Sequence, residues 1–180
     1  GLADLSNQLS KFDIKTGSHD DSSQHERTYF NGLGAAICEF PTSMVTAQYA
    51  KSLGNTIVMG APNILRGGSQ SGSVAAIDLV KAELCDALVS DYYYPAMSGS
   101  IWSLHDRRII DFAKGWSLIS SKPAKVMNLK NKGKLELDYS ADFIIMDPVR
   151  RSVEATFCKG KATYLAEQLA NLILDKIDVH

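Results

Sequence analysis

The run "SHDDSSQHE", Ser18–Glu26, gathers an imidazole, two adjacent carboxylates and several hydroxyls within a few residues, directly after "KFDIKTG". His19 with Asp20 and Asp21 offers borderline nitrogen and hard oxygen donors, the kind a divalent ion takes. The same Asp20, Asp21 and Ser22 would also serve as a helix cap that accepts free amides. Asp91, in "ALVSDYYYP", ends a second apolar run and supplies another carboxylate; Glu39, in "CEFPTS", is a candidate acid, base or outer partner, or equally one half of a structural ion pair. The stretch "RGGSQSG", Arg66–Gly72, is of a different kind. Gly67, Gly68 and Gly72 let the backbone approach a ligand closely, Ser69 and Ser71 add hydroxyls, and the Arg66 fork matches phosphate oxygens. A helix expected after Ser73 would aim its free amides at the same place. The loop is neither a Walker loop nor a G-x-G-x-x-G fingerprint, because no Gly-Lys-Ser/Thr follows and the glycines are wrongly spaced. Read without function, it is a connector of ordinary loop residues. His25, His105 and His180 read as surface or packing residues, and Tyr92, Tyr93 and Tyr94 as a pocket wall or a rim.

These groups share an edge only if the right elements carry them. Short apolar runs alternate with helical patterns: "FDIKTGS" precedes a helix near 23–33, "AAICEF" one near 43–53, "NTIVMGA" leads through the glycine-rich loop to one near 74–84, and "DALVSD" leads to helices after Ser98. Such alternation predicts parallel strands joined by crossover helices, in a barrel wall or an open doubly wound sheet. Parallel strands end on one side, so "SHDD", "EFPTS", the glycine-rich loop and "SDYYYP" are predicted to meet there. After Lys122 the pattern changes to three strand-like runs with turns at "MDP" and "CKGK", then an amphipathic helix, "YLAEQLANLILDKI". The predicted organisation is a partial barrel over 1–127, a small β appendage over 128–165 and a final helix over 166–180.

Composition narrows the partners. Nineteen Lys and Arg are mixed with twenty Asp and Glu for a net charge of −1, with no basic stripe, which argues against nucleic acid. No apolar run approaches the roughly 20 residues that span a bilayer, and "GLADLSNQLSKFD" lacks the pattern of a secretion signal, so a soluble cytoplasmic protein with no membrane partner is expected. Cys38, Cys85 and Cys158 are odd in number and sit among apolar neighbours, and are predicted to be buried free thiols.

Taken in order, "GSHDD", "CEFPTS", "VMGAPNILRGGSQSG" and "LVSDYYYP" resemble the carboxyl half of the α-D-ribose 1-methylphosphonate 5-triphosphate diphosphatase family, a phosphonate-metabolism branch of the metal-dependent amidohydrolases. The resemblance runs from about Ile14 to about Tyr164, and "MGAPNILRGGS" is its most specific part. It implies an α/β fold, the carboxyl-terminal portion of a (β/α)8 barrel (about strands six to eight) with part of a small β-sandwich. His19 would match a metal ligand after the sixth strand. Asp91 would match the carboxylate after the eighth, binding metal and taking the proton of the attacking water. Arg66, Gly67, Gly68, Ser69 and Ser71 would hold polyphosphate oxygens, with Asp20, Asp21 and Glu39 in supporting positions. The implied cofactor is a divalent metal, Zn or Mn, and the implied substrate a phosphorylated sugar phosphonate of the carbon-phosphorus lyase pathway, split to the 5-phosphate and pyrophosphate.

The chain departs from the family at Gln70, where the pattern has His, and it offers no counterpart to the ligands of the earlier strands. A whole barrel takes about 250 residues, so these 180 are expected to be a fragment or split-gene product. Through its open strand edges such a piece would pair with a copy of itself or with an amino-terminal half. Two other readings stay open: an amidohydrolase that cleaves C–N bonds, and a noncatalytic phosphate-binding or assembly module.

Overall fold

A computed structural model of the chain describes residues 1–12, 14–68 and 72–177. They fall into two compact units, Gly1–Met127 and Asn128–His180. The first begins with helix α1 (Leu2–Ser10), then alternates: strand β1 (Gly17–His19), α2 (Gln24–Gly32), β2 (Ile37–Glu39), α3 (Met44–Ser52), β3 (Thr56–Gly60), α4 (Ala61–Arg66), α5 (Ala76–Lys81) and β4 (Ala87–Val89). Helices α6 (Ala96–Asp106), α7 (Phe112–Ser117) and α8 (Ser121–Val126) complete it.

The four strands are parallel and lie side by side in chain order. A doubly wound sheet reverses its order at a switch point. No reversal occurs within these four strands. Four strands separate His19 from Asp91 inclusively, where the resemblance implied three; the count of strands six to eight does not fit this run. Helix α4 is a further difference. It starts immediately after β3, with Pro62 in its first turn, where the sequence suggested loop.

Alternation sorts each strand's side chains between two faces. Cys38, Ile57, Met59 and Leu88 point toward the helices and join one core with Ala47 and Ala50 of α3, Ile64 of α4, Leu79 of α5, and Ile101 and Leu104 of α6. Alanine on α3 lets that helix lie close to the sheet. The other face carries His19, Glu39 and Val58 at one level, since they are register partners across β1, β2 and β3. Strand β1 ends the sheet. The hydrogen bonds from Ile37 N–H to Thr16 O and from Asp20 N–H to Glu39 O fix which way it faces, so the backbone groups of Gly17 and His19 turn outward. A Cβ on Gly17 would lie 3.0 Å from Ile37 Cβ, so only glycine fits there without a shift.

Between α2 and β1 the core is ionic. Arg27 and Asp21, both fully buried, meet at 2.9 Å. Arg27 Nη1 also donates to Ser18 Oγ at 2.7 Å, its Nη2 donates to the Ala35 carbonyl, and Ser18 Oγ donates to Asp21 Oδ2 at 2.7 Å. The neighbouring residues cap α2: Ser23 Oγ accepts from Glu26 N–H, and Glu26 Oε2 accepts from Ser22 N–H at 2.7 Å. Those bonds from Ser22 hold the Glu26 carboxyl below its ordinary pKa.

The second unit contains one antiparallel sheet of β5 (Phe143–Asp147), β6 (Ser152–Cys158) and β7 (Lys161–Leu165), followed by α9 (Glu167–Ile177). Among the described residues it holds a single sheet. Phe143 and Phe157 stack across β5 and β6 with ring centroids 4.5 Å apart. Among the described residues no helix is long and apolar enough to cross a membrane.

The thiols divide two to one. Cys38 and Cys85 are buried as expected, but Cys158, the last residue of β6 beside the turn, is exposed. Burial pushes the Cys38 thiol up to about 11 and that of Cys85 up to about 12. Alkylation at pH 8 is therefore expected to modify Cys158 alone in the folded chain and all three in denaturant, as read by intact mass. For the ionic core, Arg27→Met leaves a buried carboxylate without its partner and is expected to cost about 3–5 kcal/mol in urea unfolding; Arg27→Met with Asp21→Asn recovers most of that loss.

Candidate active site

The carboxyl ends of β1 to β4 form one edge, and three of the four leave the sheet through a left-handed residue. Asp20 follows β1 at φ 60°, Phe40 follows β2 at φ 52°, and Asp91 lies just beyond β4 at φ 50°. Asp tolerates this conformation because its short side chain bonds locally; a bulky Phe there is a strained exception. At Phe40 the turn has a purpose visible in its contacts. The ring meets the His19 imidazole edge to face at 4.9 Å between centroids, and it lies over Gly60, where a Cβ would stand 3.5 Å from it.

His19 is half-exposed, and its Nδ1 lies 2.9 Å from Asp20 Oδ2. The carboxylate therefore flanks Nδ1 and leaves Nε2, the nitrogen that could bind a metal or take a proton, on the far side of the ring. Asp20 thus stands beside the ring. Asp21, expected there too, instead turns inward to Arg27 and takes no part in this edge. Glu39 is the register neighbour of His19 on the same face of the sheet.

Beyond Phe40 opens a cavity of about 160 Å³. Asp20, Asp91 and Arg66 supply its charge, Asn63 and Ser73 its neutral polar groups, and Phe40, Pro41, Met59 and Val74 its apolar walls. The edge therefore brings Asp20, Arg66 and Asp91 together around one space. Arg66 ends α4, which turns out of the helix through Gly67 at φ 80°, and its guanidinium lies 5.5 Å from the centre of the Tyr92 ring. Among the described residues the Asp91 carboxylate enters no ion pair. Gly68 follows in the same turn, while Ser69, Gln70 and Ser71 lie outside the described residues.

Helix α5 does not supply the amides that the sequence suggested for this loop. It begins at Ala76, has six residues, and its first N–H already donates to Asn63 Oδ1 at 2.9 Å. Asn63 was not singled out in the sequence, although its place between a strand-ending glycine-alanine pair and Arg66 was the available signal. Phe40 also escaped notice, since nothing in "CEFPTS" announces a left-handed aromatic.

Imidazole nitrogen from His19 and carboxylate oxygen from Asp91 and Asp20 suit a divalent ion in donor chemistry. They do not complete a site: among the described residues no group of three or more His, Cys, Asp or Glu is placed to hold one.

Three comparisons bear on this geometry. Over 134 residues, 73% of its length, the chain is 35% identical to alpha-D-ribose 1-methylphosphonate 5-triphosphate diphosphatase of Escherichia coli (strain K12). It spans 35% of that relative's length. Among solved structures it matches β-aspartyl dipeptidase of Fervidobacterium islandicum AW-1, crystallised with a β-Asp-Leu dipeptide, at a TM-score of 0.57 and 19% identity, covering 72% of this chain and 39% of that one. A crystal structure of an uncharacterized protein matches at a TM-score of 0.71 and 11% identity, over 92% of this chain and 49% of the other. At such identities the solved structures speak for the fold. No family model matches the chain.

The strand-end conformation gives its own test. Asp91→Gly keeps the left-handed turn without a Cβ and is expected to hold or raise the melting temperature. Asp91→Val, β-branched at φ 50°, is expected to lose about 1–3 kcal/mol relative to it in thermal melts.

Proposed function

We propose that this chain is the carboxyl-terminal part of a metal-dependent hydrolase of the amidohydrolase superfamily, acting on a phosphoanhydride. The substrate is a ribosyl phosphonate 5-triphosphate, cleaved to the 5-phosphate and pyrophosphate. The observation that carries the reading is the meeting of Asp20 and Asp91 with Arg66 around one cavity. Two carboxylates alone would repel a phosphate, and a guanidinium alone would merely bind it. Together, with a cation between acids and phosphate, they suit a polyphosphate. The 35% identity to the diphosphatase over most of the chain points the same way.

In this reading His19 Nε2 and Asp91 would hold a divalent ion, Zn or Mn, with ligands from outside the described residues; when bound, it would polarise the phosphoryl oxygens and acidify water. Asp20 flanks the Nδ1 side of the His19 ring. Asp91 accepts the proton of the attacking water, Arg66 holds the oxygens of the leaving diphosphate, and Tyr92 keeps the guanidinium in place. Gly67, Gly68, Ser69 and Ser71 complete the anion loop. Phe40, Met59 and Val74 keep bulk water from the reacting phosphorus.

One observation favours a second reading, a phosphate-binding module without turnover: the described donors fall short of a metal site. A C–N hydrolase has the fold likeness to the dipeptidase in its favour but leaves Arg66 without a role.

Elemental analysis of the dialysed chain beside a His19→Ala/Asp91→Asn variant tests the metal part. Near-stoichiometric Zn or Mn lost in the variant is expected; no metal in either would overturn it. In a pyrophosphate-release assay, Asp91→Asn is expected to lower kcat by about 10²–10⁴-fold, and Arg66→Ala to act chiefly on KM. Binding with no turnover at any metal concentration would favour the module instead, and ammonia or amine release from an amide would favour the C–N hydrolase.

A further inference from the structure

At the opposite edge, where β2, β3 and β4 begin, lies a cavity of about 460 Å³. The larger of the two spaces described, it falls within the size range of small-molecule sites. Its lining includes Lys15 ahead of β1, Lys51 of α3, and Lys122 and Lys125 of α8, against a single acid, Asp86. That acid is already engaged: Asp86 Oδ2 accepts from Ile57 N–H at 2.9 Å, and Oδ1 accepts from Lys51 Nζ at 2.5 Å. Among the described residues Lys122 and Lys125 form no ion pair. The nearby Glu83 is committed elsewhere, 2.5 Å from Lys114.

Beyond the Lys51–Asp86 pair, the Lys122 and Lys125 ammonium groups bring two further positive charges to the cavity. Their mutual repulsion favours an anion between them, and compact ammonium groups recognise phosphate as point charges. Asn55 lines the same cavity, is almost fully buried, and donates through Nδ2 to Asn31 Oδ1 at 2.8 Å. Its Oδ1 is buried with no partner among the described residues. A buried acceptor without a donor is uncommon, and a ligand hydroxyl would satisfy it.

We propose that the amino-terminal edge of the sheet carries a second binding site, in which Lys122 and Lys125 receive the phosphate of a small phosphorylated sugar and Asn55 Oδ1 accepts from one of its hydroxyls. The site lies across the sheet from the Arg66 cavity and does not depend on the reaction proposed there.

Titration calorimetry and amide chemical-shift mapping of the full chain test it, with glucose 6-phosphate, inorganic phosphate and glucose as probes. Glucose 6-phosphate is expected to bind more tightly than phosphate, to shift the Gly54, Asn55 and Thr56 amides, and to weaken with salt; glucose alone gives no response. Lys122→Gln/Lys125→Gln is expected to weaken binding at least tenfold, and Arg66→Ala to leave it unchanged. Lys125→Gln alone, on an exposed position, serves if the double variant melts early. Equal affinity for phosphate and the sugar phosphate would overturn the hydroxyl contact. Affinity lost in Arg66→Ala but kept in the lysine variant would overturn the site, as would unshifted Gly54 and Asn55 amides up to about 10 mM probe, a weak-binding limit.

Discussion

The buried pair between Arg27 and Asp21 is the constraint on which the candidate site rests. Once Asp21 is drawn inward, bound to the guanidinium and to Ser18, the preceding residue has little choice. Asp20 takes a left-handed backbone and faces the other way, beside the His19 ring. Adjacent aspartates in one turn thereby do opposite work, one inside the protein and one at its edge. The guanidinium also bonds the Ala35 carbonyl on the approach to β2, so a single side chain ties β1, α2 and β2 into a fixed relation. Such a pair is expensive to bury and contributes specificity more readily than stability. Here the specificity is conformational: the ions decide which way the strand end turns.

The neighbouring strand ends repeat the device with other chemistry. Phe40 and Asp91 adopt the same backbone region, and each sets a side chain against the cavity. Strain of this kind persists where the surroundings over-determine it, and it collects where a site needs side chains that ordinary strand geometry would aim elsewhere. Gly60 lies beside them at the end of β3. It packs directly under the Phe40 ring, and β3 passes into α4 without a turn of its own.

Much of this arrangement was legible in the sequence, for reasons of periodicity. The alternation of apolar runs and helical patterns located β1 to β4 and helices α2, α3 and α5, because crossover units write two distinct periods into the chain. The cap of α2 lies further on than the sequence suggested, at Ser23 and not at Asp20, Asp21 or Ser22. What escaped was tertiary. Helix α4 is too short to show a period, and Pro62 reads as a break until it is seen in a first turn. The inward turn of Asp21 depends on Arg27 arriving from the next helix, six residues on, and no local pattern tells one acid of "HDD" from the other. Exposure of Cys158 followed from its place at the end of β6, a boundary that the apolar "ATF" before it concealed.

The short first strand leaves evolution little room. Of its three residues, Gly17 and His19 carry the outward backbone groups, and an open edge is ordinarily guarded by a proline, a bulge or a charged lysine. Neither position can accept such a guard cheaply. A side chain at 17 would require Ile37 to shift, and replacing His19 would remove the imidazole itself. Guarding this edge and keeping the glycine and the imidazole are competing demands on the same two residues.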